Sequence, residues 1–296
     1  MKRALVVGDL FFAQSAQVDA LPKAGNNLVL RDLRVDFSGV GANIARNLAR
    51  LGVRTSLFGA VGRDQNGKAM LEALHEAGVD ARLVERSKRQ TGSFLVLVDR
   101  KGERTMIGTR GASETVSLRA ELLERRPDWV HVSGYTLLNR GQVGAFSRFL
   151  SAASRAGVPL SVDLEGVAQE HRRLDVRGAT VLCNLSEYKD YFGREDLLND
   201  CGAKTLVVKA GREGAYVLGR EGSRLVRGSG ANAVDSTGAG DAFDAGFIKA
   251  KLSGSDDYTA CVWGDTCGSL KVAKPGPFLT DDLVAVKRLV DLRLRP

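Results

Sequence analysis

Residues that bind metals or cross-link chains are scarce in this sequence. Its four cysteines, Cys183, Cys201, Cys261 and Cys267, include no C-x-x-C pair, and its three histidines form no ligand cluster. That argues against a zinc site and a disulfide framework, and it fits a reducing cytoplasm. Long apolar runs are missing too. None approaches the roughly 20 residues of a membrane-spanning helix, so no membrane partner is expected. The opening Met1-Lys2-Arg3 followed by Ala4–Val7 imitates a secretory signal, but the apolar stretch stops at Gly8-Asp9. An h-region needs roughly 7–15 residues, so the segment reads instead as a buried strand. No internal repeat, low-complexity tract or Pro/Gly-rich linker cuts the chain, and residues 1–296 are expected to form one domain.

What is present is ordinary for a globular chain of 296 residues: 44% hydrophobic and 26% charged, which excludes wholesale disorder and fibrous architecture. Lys+Arg 43 against Asp+Glu 35 leaves a net charge of +8. Such a balance suits an anionic ligand. The basic residues are scattered as isolated pairs (Arg125-Arg126, Arg172-Arg173, Lys287-Arg288), so no nucleic-acid partner is expected.

Strand-like and helix-like segments alternate along most of the chain, the pattern of a parallel sheet covered by helices. Strands are predicted at 2–7, 55–61, 129–132, 160–163, 180–183 and 205–208. Helices are predicted at 42–51, 67–77, 143–156, 242–252, 258–272 and 281–292. Two stretches break the alternation. Leu28–Phe37 mixes apolar and charged residues, and Gly92–Val98 and Arg104–Gly108 flank the turn Asp99-Arg100-Lys101-Gly102-Glu103, a hairpin signal. These strands lack crossover helices and are expected to form a small separate sheet. It reads either as a lid over a site or as a plain surface hairpin.

The strongest chemical signal is Asp235-Ser236-Thr237-Gly238-Ala239-Gly240-Asp241-Ala242-Phe243. Small residues let backbone N–H groups approach a ligand, and the helix start adds partial positive charge, so the run is suited to a phosphate. A carboxylate there would repel the anion. Asp241 therefore reads as a base that takes a proton from an attacking hydroxyl, or as a simple N-cap. A second candidate, Gly62-Arg63-Asp64-Gln65-Asn66-Gly67-Lys68, fits G-x-x-x-x-G-K but continues with Ala69, where a P-loop needs Ser or Thr for Mg²⁺.

Asp235–Phe243 resembles the C-terminal signature of the ribokinase-like (PfkB) carbohydrate kinases. Ser38-Gly39-Val40-Gly41-Ala42-Asn43-Ile44-Ala45 resembles their N-terminal glycine motif, and Asn184-Leu185-Ser186-Glu187 their N-x-x-E element. Val207–Gly214 is similar to the nucleotide-binding strand and turn, Lys274-Pro275-Gly276 to a glycine turn before the last helix, and the order holds over essentially the whole chain. The resemblance implies an α/β fold: a three-layer α/β/α core with a mostly parallel sheet and a small β-sheet lid built from segments about 11–38 and 90–110. It implies Asp241 as catalytic base and Gly238, Ala239 and Gly240 as an anion hole. ATP would be held near Asn184, Glu187, Lys209, Gly211 and Gly214, with Mg²⁺ reached indirectly through Glu187 and K⁺ near Asp235. Asn184 and Glu187 also read as a capping box.

The acceptor half departs from the family. Gly8-Asp9-Leu10-Phe11-Phe12-Ala13 has Phe11 and Ala13 where sugar-binding Asn and Asp are common. Asp9, Gly39, Asn43, Arg104 (from the lid) and Asp163 remain as candidate substrate contacts. The expected activity is ATP-dependent phosphorylation of a hydroxyl on a small sugar or sugar-like molecule, with an apolar, planar or anionic portion favoured over plain ribose. A nucleoside kinase and a non-catalytic ATP- or sugar-binding regulator are the alternatives, and the lid offers a surface for a homodimer.

Overall fold

Buried from Ala4 through Val7, strand β1 (Arg3–Val7) carries apolar side chains on both faces, as a strand with helices above and below must. The computed structural model describes every residue except 31, 101–103, 171–172, 195, 198, 220–221 and 296, and the side chain of Arg104. After β1 come β2 (Phe11–Gln17), β3 (Arg34–Ser38), α1 (Val40–Arg50), β4 (Arg54–Phe58), β5 (Ala60–Gly62), α2 (Gln65–Glu76), β6 (Glu85–Ser87), β7 (Thr91–Val98) and β8 (Arg104–Gly111). The chain continues through β9 (Trp129–Val132), α3 (Gln142–Arg155), β10 (Leu160–Asp163), β11 (Thr180–Asn184), α4 (Leu185–Phe192), β12 (Thr205–Lys209), β13 (Gly214–Gly219) and β14 (Gly222–Arg227). Helices α5 (Ala239–Leu252), α6 (Asp257–Val272) and α7 (Leu283–Arg293) close it. None of the described helices is long and apolar enough to cross a membrane.

Eight strands form the main sheet in the order β14-β13-β12-β11-β10-β9-β1-β4. Every pairing from β4 to β12 is parallel, and β12, β13 and β14 are antiparallel. Alternate residues of β1 enter different cores. Ala4 and Val6 join Ile44 and Leu48 of α1, Leu74 of α2 and Phe247 of α5, whereas Leu5 and Val7 join Phe146 of α3 and Tyr188 of α4. Two apolar layers on opposite sheet faces are what make the fold three-layered.

A separate four-stranded sheet, β3-β2-β7-β8, supplies the expected small sheet. Its strands differ in detail from the sequence reading. Among the described residues the 28–37 segment is a strand only from Arg34, where β3 begins, and β2, not anticipated as a strand, pairs with β7 from Phe11↔Gly92 to Gln17↔Val98. The single strand expected over 55–61 is two, because the chain turns at Gly59. A Cβ at Gly59 would come 2.1 Å from Leu10 Cδ1, and β5 beyond it leaves the main sheet to pair with β6.

Candidate active site

Four polar side chains stand at or just past the carboxyl ends of parallel strands: Asp9 after β1, Asp163 on β10, Asn184 on β11 and Lys209 on β12. That end of an open α/β sheet is where ligands bind. Helix α5 points its N-terminus there. It begins at Ala239, two residues before Asp241, because Gly238 adopts a left-handed φ of 73° and caps it. A side chain at Gly238 is barred twice, by that φ and by Pro277 O, 2.1 Å from where a Cβ would lie. The first-turn N–H groups have no partner within the helix and carry its positive end.

Asp241 is buried on this first turn, and Asn43 Nδ2 donates to its Oδ2 at 2.6 Å. Ser38 Oγ donates to Asn43 Oδ1 at 3.1 Å, which fixes the amide with its NH₂ toward Asp241. The α1 N-terminus can come this close because Gly39, at φ 115°, would place a Cβ only 2.3 Å from Asp9 O. Burial pushes the Asp241 carboxyl up to about 7, against the pull of Asn43 and Lys209. Such a carboxylate is basic enough to accept a proton near neutral pH.

Beneath the helix start lies a buried charge cluster. Lys209 Nζ donates to Asp163 Oδ2 at 2.7 Å and to Asp244 Oδ1 at 3.2 Å. Burial works against the ammonium, but Asp163 and Asp244 hold its pKa above the ordinary value. Burial also opposes ionisation of Asp163, yet Lys209 keeps its carboxyl below the usual range, while burial drives Asp244 well above it. Glu165 is likewise raised by burial and by Asp163, and Glu187 is raised to about 7 by burial.

Asp163, Glu165, Glu187 and Lys209 line a cleft of about 480 Å³ together with Asn184, Gly211, Gly214, Gly238, Ala239, Gly240 and Asp241. All the residues expected around the nucleotide and the anion hole are thus brought together. Asn184 and Glu187 also form the capping box of α4: Asn184 Oδ1 accepts from Glu187 N at 2.9 Å and Glu187 Oε2 accepts from Asn184 N at 2.8 Å. Lys209 points down into the carboxylates beneath α5. Asp163 spends one oxygen on Lys209 and the other on the Glu165 N–H, 2.8 Å away.

Asp9, Gly39 and Asn43 do not line this cleft; Asn43 meets it through Asp241. Asp9 is buried and takes a forked pair from Arg110, Nε to Oδ2 at 2.9 Å and Nη2 to Oδ1 at 3.0 Å, while Nη2 also donates to Tyr135 O at 2.7 Å. Burial raises the Asp9 carboxyl despite this partner. Arg104, expected to reach in from the lid, pairs through its backbone with Val98 at the far end of the hairpin, and its side chain lies outside the described residues. The arginine of the small sheet that meets the core is Arg110, because β8 runs three residues past its expected end, to Gly111. Phe11 packs edge-on against Phe94 (centroids 4.8 Å apart) and Phe12 against Phe37 (5.8 Å), while Ala13 is buried.

A family model described as pfkB family carbohydrate kinase matches residues 1–281. The chain belongs to this family. It is 34% identical to an ATP-dependent ribose-1-phosphate kinase of Halopiger xanaduensis, over 93% of this chain and 94% of the relative. Arabidopsis thaliana ribokinase, solved with ribose and ATP, superposes with a TM-score of 0.82 at 24% identity, covering 98% of this chain and 99% of its own. An E. coli chain solved with ATP and Mg²⁺ superposes with a TM-score of 0.81 at 21% identity, covering 99% of this chain and 100% of its own. Both likenesses establish the ribokinase fold.

Three residues of this carbohydrate kinase escaped the sequence reading. Asp244 lies one helical turn after Asp241, a spacing that places both on one side of α5. Glu165 follows Asp163 by two residues at a strand end, with no local mark of its burial. Arg110 carries no signal at all, since its partner Asp9 is distant in sequence.

Proposed function

We propose that this ATP-dependent carbohydrate kinase transfers the γ-phosphoryl group of ATP to a hydroxyl of a phosphorylated pentose, with ribose 1-phosphate the leading acceptor. The observation that carries this reading is the likeness, along nearly the whole of both chains, to the Halopiger ribose-1-phosphate kinase. Arg110, whose charge is paired with Asp9 at the end of β1, is the guanidinium that an anionic acceptor would share there. Phe11 and Ala13 present no hydrogen-bonding side chain where a plain sugar would be held.

In this reading Asp241 accepts the hydroxyl proton as oxygen attacks phosphorus, and ADP leaves. Asn43 orients the base. The N–H groups at Gly238 and Gly240 face the phosphoryl oxygens as charge develops on them, while that of Ala239 donates to Ser236 O at 3.3 Å. Asn184, Glu187, Gly211 and Gly214 border the triphosphate. Among the described residues no group of three or more His, Cys, Asp and Glu side chains makes a metal cage. Glu165 and Glu187, carboxyls raised by burial and by the nearby Asp163, fit a hydrated Mg²⁺ carried in with ATP. When bound, that ion neutralises the transferring phosphate. Unpaired cysteines support a cytoplasmic setting, and the exposed Val35 and Ile107, in one row across the small sheet, support a second copy covering that face.

The test is ADP release with ATP and Mg²⁺ over ribose, ribose 1-phosphate, ribose 5-phosphate, fructose and adenosine. Ribose 1-phosphate is expected to exceed ribose in kcat/KM by more than about 10²-fold, since the loss of a group that a site is built to bind is heavily discriminated. Arg110→Met should raise KM for the phosphorylated sugar and leave KM for ATP unchanged. Preference for adenosine would move the reading to a nucleoside kinase.

A further inference from the structure

Lys271 lies on the last turn of α6 with no exposed surface, although it is a lysine. Its Nζ donates to the main-chain oxygen of Asp235 at 2.6 Å and to that of Lys274 at 3.3 Å. These two carbonyls belong to the two loops that meet behind the anion hole. Asp235 stands three residues before Gly238, and its carboxylate joins the same loops, Oδ1 accepting from Thr237 N at 2.9 Å and Oδ2 from Gly276 N at 2.8 Å. Val234 and Asp235 also donate to Val272 O, at 2.6 and 3.1 Å. The Gly238 backbone abuts Pro277, as its forbidden Cβ position shows.

A buried ammonium is costly unless oxygen atoms replace its water. Here main-chain carbonyls do so, with a carboxylate close by. Carbonyl oxygens converging beside a carboxylate are also what an alkali cation requires; here the Lys271 ammonium already sits on the Asp235 carbonyl, and a second cation beside it would be repelled.

We propose that Lys271 is a tethered monovalent cation: its ammonium holds the Asp235 and Lys274 carbonyls together, sets the loop that opens into Gly238–Gly240, and makes this kinase independent of K⁺. Lys271 is thus a positioning residue, since it acts through the loop and not on the reacting atoms. Its charge is felt at both ends of that loop, drawing down the carboxyls of Asp235 and Asp241. The kinetic part of the inference rests on the kinase reading above; the melting measurements below do not.

The test compares wild type, Lys271→Ala and Lys271→Met in chloride salts of K⁺, Na⁺ and tetramethylammonium at one ionic strength. Wild type should turn over within about twofold in all three salts and melt at the same temperature in each. Lys271→Ala, which removes both charge and stem, should lose at least tenfold in kcat with a smaller change in KM for ATP. It should regain turnover and melting temperature saturably with K⁺ or ethylammonium. Lys271→Met keeps the stem and loses the charge, so it should stay impaired in every salt. Several-fold stimulation of wild type by K⁺ over tetramethylammonium would overturn the proposal, as would wild-type kcat in Lys271→Met or failure of every cation to restore Lys271→Ala. If Lys271→Ala does not fold, the wild-type comparison decides: a K⁺-dependent rise in melting temperature overturns the proposal and its absence sustains it. An enzyme inactive on every acceptor would sink the kinase reading and leave the melting comparison intact.

Discussion

Asn43 and Asp241, 198 positions apart in the chain, share a 2.6 Å hydrogen bond that joins the start of α1 to the start of α5. Through it the N-terminal glycine motif governs the carboxylate that the C-terminal motif places at a helix start. Burial raises Asp241, and Asn43 counters by stabilising the charged form.

Asp241→Asn is therefore expected to lower kcat by roughly 10²–10⁴-fold, the usual worth of a positioned general base, while ATP still binds. In wild type, kcat/KM should fall about tenfold per pH unit below a midpoint near 7, as Asp241 takes up its proton. Asn43→Ala should move that midpoint upward, since the bond it removes lowers the Asp241 pKa. Nucleotide titration and a pH–rate series on both variants check this. Unchanged turnover in Asp241→Asn would remove the residue from the mechanism.

Stability should carry the same signature. The folded-state pKa of Asp241 is raised from the ordinary 3.8 to about 7, so between those values the folded chain retains a proton that the unfolded chain has released. Stability then falls as pH rises through this window, and the penalty is complete above it. Asp241→Asn escapes the penalty. Its urea midpoint should exceed that of wild type at about pH 8 and converge on it at about pH 4. A difference independent of pH would mean that Asp241 does not titrate in this way.

Lys68→Ala should leave turnover within a few-fold of wild type. The turn that mimics a P-loop is spent on structure: Asp64 Oδ1 caps α2 through the Gly67 N–H at 2.8 Å, and Oδ2 accepts from Thr91 N at 2.7 Å. Lys68 itself points to solvent, 69% exposed, beside Glu72. Steady-state kinetics at saturating ATP measures the effect, and a hundredfold loss would restore a phosphate-binding role to this lysine.

The sequence by itself determined what depends on neighbouring residues. The four-residue segments at 129–132 and 160–163, set between helix-like stretches, read as strands, and β9 and β10 form within those limits. The run Gly238-Ala239-Gly240-Asp241 specified a helix start suited to an anion because glycine conformations and helix dipoles are local properties. The capping box of Asn184 and Glu187 was legible for the same reason. Tertiary structure decided what depends on strand register and on layer packing. Arg110 meets Asp9 because β8 continues to Gly111, and a shift along a strand changes which side chain arrives. Lys209 meets Asp163 and Asp244 because β12 neighbours β10 across β11 beneath α5, an arrangement written in no single segment. Lys271 looked like any other basic residue near a helix end. Only the close packing of α6 against the 234–238 loop removes its water and leaves its ammonium to backbone carbonyls.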